Sequence, residues 1–215
     1  MIDVGANVGY HTLRMAEAVG PSGQVHAFEA NPEVTQLLRA TMFVNGFSSW
    51  LGEGRVRLYE CAALDKPGTV ILASSPEHSS SGHVVMDHKP SSDYGPGYST
   101  RIQVPAVMLD AELADRVGTV DLIHMDIEGS EALALYGARG IVARSPTIKI
   151  ITEWSVRMME TRADVGQYVA WLAELGFRFW RIEPGANLIE LDRATVLTTA
   201  DCDLVLSRQE PSGQR

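Results

Sequence analysis

The segment Asp3-Val4-Gly5-Ala6-Asn7-Val8-Gly9-Tyr10-His11 constrains this chain more than any other. It reads as the end of a buried strand, a glycine-cornered turn and the first turn of a helix. Such a corner turns backbone N–H groups toward a ligand lying above a sheet. Gly5 can take a backbone conformation closed to other residues, and Gly9 lets the helix approach closely. The next apolar run, Val25-His26-Ala27-Phe28, is closed by Glu29. An acidic residue at the tip of the second strand is where a nucleotide-binding α/β fold holds ribose hydroxyls. The chain therefore opens on a cofactor site.

The dinucleotide fingerprint G-x-G-x-x-G fits this corner badly. Asn7 stands at its second glycine and Tyr10 at its third, which disfavours close approach of a pyrophosphate. Asp-x-Gly-x-Asn-x-Gly suits a ligand with a ribose and no phosphate. S-adenosylmethionine is such a ligand.

A chain of 215 residues suits one α/β domain, expected over 1–208 with a frayed tail at 209–215. Its net charge of −9 and lack of a basic patch argue against a nucleic-acid partner. Cys61 and Cys202 fall in apolar runs without metal-ligand spacing and read as buried thiols. No stretch has the length of a membrane span and no charged leader opens the chain, so cytoplasm is the expected location. Only Met1 and Ile2 precede Asp3 in the first strand, so the native start is expected upstream. Nothing in the sequence fixes the oligomeric state.

Strand and helix signals alternate, which predicts a mostly parallel sheet with helices on both faces. Helices are expected over Tyr10–Ala18, from Pro32 behind an Asn31 cap, over 110–117, from about Ser130, and behind the Asp164/Gln167 pair. The second carries an apolar stripe of Val34, Leu37, Leu38, Thr41 and Met42. Strands are expected over Val56–Ala62, Thr69–Ala73, Val104–Leu109, Val120–Asp126, Ile148–Glu153, Phe177–Ile182 and Cys202–Ser207. Residues 74–100, rich in Ser, Gly, Pro and His, read as a loop over the acceptor. His78, Ser79, Ser80, Ser81, Gly82 and His83 could bond a polyol, and Tyr94 and Tyr98 could stack on a sugar ring. The histidines there match no zinc spacing.

Ligands of open α/β sheets bind at the carboxyl ends of the strands. Those ends are Asp3, Glu29, Ala62-Ala63, Asp126 and Glu153, and four of the five carry a carboxylate. In His124-Met125-Asp126-Ile127-Glu128-Gly129-Ser130-Glu131, alternation puts His124 and Asp126 on one face. Glu131 in a first helical turn would oppose the helix dipole; Asp126 has no such explanation.

The Asp3–Tyr10 segment, Phe28-Glu29-Ala30-Asn31-Pro32 and the run Asp121–Glu131 together resemble the FkbM family of S-adenosylmethionine-dependent methyltransferases. The resemblance implies a class I methyltransferase fold: a Rossmann-like, seven-stranded, mostly parallel α/β sheet with a reversed last strand. It implies a cofactor cradle at Asp3, Gly5, Asn7 and Gly9, Glu29 on the ribose, and Ala62 and Ala63 near the adenine. It also implies O-methylation of a hydroxyl on a polyketide, sugar or glycolipid. The family usually carries Lys at the position of His124, and many members have a segment ahead of the first strand.

Methyl transfer to an alcohol calls for an aligned nucleophile and a base. Asp126 is the first candidate, Glu153 the second and His124 the third, the last also readable as a packed core histidine. A cation bridging Asp126 and Glu153 is chemically sensible, but two sequence-distant carboxylates are no metal motif, so no metal is assigned. A nicotinamide-dependent oxidoreductase would need a phosphate loop and a hydride-transfer partner, and neither is present. A non-catalytic cofactor-binding homologue would keep the glycine corner and could lose the strand-tip acids.

Overall fold

The structure, a computed structural model, describes residues 1–48, 54–75, 78–85 and 100–211. Strand β1 (Ile2–Val4) leads into α1 (Tyr10–Ala18), β2 (Val25–Phe28), α2 (Pro32–Val44) and β3 (Val56–Tyr59). Four strands follow: β4 (Ala62–Ala63), β5 (Gly68–Ser75), β6 (His78–Val85) and β7 (Thr100–Val107). After α3 (Leu109–Glu112) come β8 (Leu122–Met125), α4 (Glu131–Tyr136), α5 (Arg139–Arg144) and β9 (Lys149–Trp154). The chain closes with α6 (Val156–Met159), α7 (Val165–Glu174), β10 (Arg178–Glu183), β11 (Asn187–Leu191), α8 (Arg193–Val196) and β12 (Cys202–Ser207).

The main sheet has eight strands in the order β11-β10-β12-β9-β8-β1-β2-β3. β1, β2, β3, β8 and β9 run parallel, and β12 lies antiparallel between β9 and β10. This is the class I methyltransferase arrangement, reversed strand included. β1 is buried at all three residues because helices cover both faces of a central parallel strand. Strand order reverses between β1 and β8, and the crevice opens there.

The eighth strand departs from the seven expected. β11 pairs antiparallel with β10 through a tight turn in which Gly185 and Ala186 take positive φ. Its outward residues are mostly exposed, as befits an edge, so the sequence shows little apolar periodicity there.

A second sheet, β4-β7-β5-β6, is the larger departure. The apolar run expected as one strand over Val56–Ala62 splits: β3 stays on the main sheet, and Ala62-Ala63 pairs with Ala106-Val107 of β7. Part of the expected loop 74–100 is also strand, since β6 pairs with β5. Its polar residues satisfy their backbone through the ladder, which hydrophobic periodicity does not report. Tyr94, Tyr98 and the side chains of 78–81 lie outside the described residues.

The helix ends follow their sequence signals. Asn31 accepts the Glu33 amide at 3.0 Å with Pro32 at the first helical position, and Asp164 accepts the Gln167 amide at 2.9 Å. Within α2, Val34, Leu38 and Met42 are buried, whereas Leu37 is 57% exposed and leaves the expected stripe. No helix among the described residues is long and apolar enough to cross a membrane.

Candidate active site

A cleft of about 260 Å³ opens where β1, β2 and β8 end, roofed by Leu72, Gly82 and Val84 of the second sheet. Its floor begins at Gly5, whose φ of +81° excludes most side chains. Asn7 takes a left-handed φ of +49°, and its side chain accepts the Val8 amide at 2.8 Å. Gly9, at φ +97°, faces Leu38 and Met42 of α2, so it serves helix packing and does not line the cleft.

The amides of this corner are already engaged. Gly5 and Ala6 donate to the Phe28 carbonyl, Asn7 to Glu29, Val8 to the Asn7 side chain and Gly9 to the Ala6 carbonyl. The expectation that they face a ligand is thereby corrected. These five N–H groups therefore form no nest for a phosphate.

Glu29 stands at the tip of β2. Its carboxylate accepts the Asn7 amide at 2.9 Å and the Asn31 amide at 2.8 Å. Burial pushes its pKa up, against the opposing pull of these hydrogen bonds. Each oxygen keeps a further lone pair for a hydroxyl donor. Phe28, Ala62 and Ala63 form the apolar wall beside it, and no Lys or Arg lines the cleft among the described residues. A carboxylate for hydroxyls, an apolar wall, engaged amides from Gly5 to Gly9 and a lining without Lys or Arg among the described residues fit S-adenosylmethionine better than a dinucleotide.

Asp3 does not reach the cleft. It is fully buried, bonded to the Thr12 hydroxyl and to His124 Nδ1, the latter at 2.8 Å. It supports the cleft wall from beneath and is not a direct contact. His124 and Asp126 both line the cleft, on one face of β8 as alternation requires.

Glu153, one residue before the end of β9, lies close to Asp126 but off the cleft lining, and its buried Oε2 has no hydrogen-bond partner among the described residues. Burial and the nearby Asp126, Glu128, Glu131 and Asp203 push Glu153 up to about 8. Burial also raises Asp126. Of the two, Glu153 is the one held far above the ordinary carboxylate range, and the nearby Glu153 and the two histidines pull Asp126 back down against its burial. Glu131, 1% exposed, accepts the Ile127 and Gly129 amides at 3.0 and 3.2 Å, and burial lifts it to about 7. Its role is to pin the loop after β8. Among the described residues no group of three or more His, Cys, Asp or Glu could hold a metal ion.

Sequence reasoning missed His11. Its ring stacks on His124 with centroids 4.1 Å apart and lines the cleft. Its place one residue into α1 was visible; its partner, 113 residues away, was not.

The fold and the cleft define a class I methyltransferase. The family model of the methyltransferase FkbM domain matches residues 3–179, and the chain belongs to that family. S-adenosylmethionine is its cofactor. The structure is similar to the FkbM methyltransferase from Methylobacillus flagellatus, with a TM-score of 0.57 and 18% identity over 96% of this chain and 42% of that one. A putative rRNA methylase from Clostridium thermocellum gives a TM-score of 0.52 at 9% identity, over 96% of this chain and 84% of that one, a likeness of fold alone. In sequence, the protein-L-isoaspartate O-methyltransferase of Methanothrix thermoacetophila is 35% identical over 80 residues, 36% of this chain and 37% of the relative. The chain thus spans less than half the length of the FkbM structure and about a third of this relative.

Proposed function

We propose that this chain methylates a hydroxyl oxygen on a small molecule or a carbohydrate. Bound in the cleft, S-adenosylmethionine supplies a methyl group activated on a sulfonium sulfur. Glu29 would hold the ribose hydroxyls, and Phe28, Ala62 and Ala63 the adenine face.

The observation that supports an oxygen acceptor is the Asp126–Glu153 pair. Asp126 lines the cleft with Glu153 close to it, and its carboxyl oxygens can accept the O–H hydrogen bond and aim the oxygen. Glu153 lies off the cleft lining, so its part is to steady Asp126. The lack of Lys and Arg on the cleft among the described residues, with a net charge of −9, supports an acceptor without phosphates.

The test is incubation with methyl-labelled S-adenosylmethionine and pools of hydroxylated metabolites, oligosaccharides, RNA and peptides. Label is expected on oxygen in the first two pools. Asp126→Asn is expected to lower kcat by about 100-fold while cofactor affinity holds. Label confined to RNA or peptide would overturn the reading.

A further inference from the structure

An acceptor hydroxyl must lose its proton, and Asp126 is not the only basic group on the cleft wall. His124 and His11 stand there with rings 25° from parallel. Asp3, fully buried and with its other oxygen taken by Thr12, holds His124 Nδ1 at 2.8 Å. A buried carboxylate in this position fixes the tautomer: Nδ1 carries the hydrogen, and Nε2 presents a lone pair. Nε2 has no hydrogen-bond partner among the described residues, yet it is not sealed in the core. A carboxylate bonded to one imidazole nitrogen, with the other free at a reaction cleft, is the arrangement by which a histidine is made a base.

The charged groups around the two rings are Asp3 from β1, Asp126 from the tip of β8 and Asp203 from β12. The three carboxyls favour a proton on His11. Burial and the His124 ring hold His11 below the usual imidazole range. His11 is exposed, so the pair keeps an edge to solvent.

We propose that His124, oriented by Asp3 and backed by His11, is the catalytic base that removes the acceptor's hydroxyl proton. This rests on the hydroxyl-methylation reading. The proton moves to Nε2, and the O–H electron pair forms the new bond from oxygen to the methyl carbon. The electron pair of the broken sulfur–carbon bond stays on sulfur. Asp3 stabilises the imidazolium until its proton returns to solvent. Asp126 accepts the O–H hydrogen bond before the transfer; once the proton turns to Nε2, its charge beside the two rings favours the imidazolium. Ordinary imidazoles titrate near the working pH and ordinary carboxylates well below it, and base catalysis is most effective when the two match.

The test needs no acceptor at first. The full chain, labelled with ¹⁵N-histidine and saturated with S-adenosylhomocysteine, is examined by NMR between pH 5 and 9. At high pH, His124 is expected with Nδ1 protonated and Nε2 bare; in Asp3→Asn this preference is lost. A proton on Nε2 at high pH overturns the proposal. With an oxygen acceptor in hand, His124→Gln is expected to lower kcat by about 10²–10⁴-fold and to abolish the acid limb of its pH profile. Affinity for S-adenosylhomocysteine should stay within about 3-fold, well under the tenfold that 1.4 kcal/mol represents. Label on oxygen with an unchanged profile in His124→Gln overturns this proposal alone. Label on nitrogen alone overturns the hydroxyl reading and this proposal with it. Should a variant fail to fold, the tautomer of the wild-type chain decides.

Discussion

Gly5 and Asp126 meet backbone to backbone: a Cβ on Gly5 would stand 2.0 Å from the Asp126 carbonyl oxygen. The two loops that frame the cleft are in contact there, and the Asp126 amide in turn donates to the Val4 carbonyl at 3.0 Å. The carboxylate of Asp126 is therefore placed by the same joint that shapes the cofactor corner.

Gly5→Ala tests that joint. The positive φ alone costs about 1–3 kcal/mol for a residue with a side chain, and the clash forces the loops apart. The variant is expected to unfold at lower denaturant with an unchanged m-value and to bind S-adenosylhomocysteine weakly. Wild-type stability and affinity would show that the loops do not touch.

Tyr168→Phe carries the opposite sign. The Tyr168 hydroxyl is fully buried and has no hydrogen-bond partner among the described residues. Removing it relieves an unmet desolvation cost, so the variant is expected to gain about 1 kcal/mol. Chemical denaturation checks this, and a loss of stability would mean that the hydroxyl has a partner, such as a bridging water.

Glu153→Gln should flatten the pH dependence of stability. The folded pKa of about 8 stands above the ordinary carboxylate value of 4.5, so the folded chain binds this proton more tightly than the unfolded one. Stability from Glu153 is present below about 4.5 and is lost as pH rises toward about 8. Glutamine mimics the protonated acid and cannot lose the proton. Melting temperatures at pH 5 and pH 8.5 should therefore differ less in the variant than in the wild type. Equal slopes in the two chains would place Glu153 in an ordinary carboxylate environment.

Much of the frame was legible because it is local. The Gly5–Tyr10 corner, the Asn31-Pro32 helix start and the bounds of α1 and β12 each follow from a few neighbouring residues. What escaped the sequence is non-local. The break after Tyr59 is invisible because the apolar run continues into Ala62-Ala63, although the partner changes from β2 to β7. Asp3 reads as a cofactor ligand by its place at a strand tip, but its side chain is claimed by Thr12 and by His124 across β1 and β8. The engagement of the Gly5, Ala6 and Asn7 amides depends on the Phe28 carbonyl and the Glu29 carboxylate, which only the packed sheet brings there.

Calorimetric titration with S-adenosylmethionine, with NAD in parallel and Glu29→Ala as the companion chain, tests most directly whether the Gly5–Glu29 corner is the cofactor site. Glu29 contributes charge-assisted hydrogen bonds of about 1.5–3 kcal/mol each, so its loss should weaken binding by about 10–100-fold per bond. The expected result is S-adenosylmethionine binding in the wild type, little or none in Glu29→Ala, and no binding of NAD. Equal affinity in both chains, or preference for NAD, would contradict the assignment.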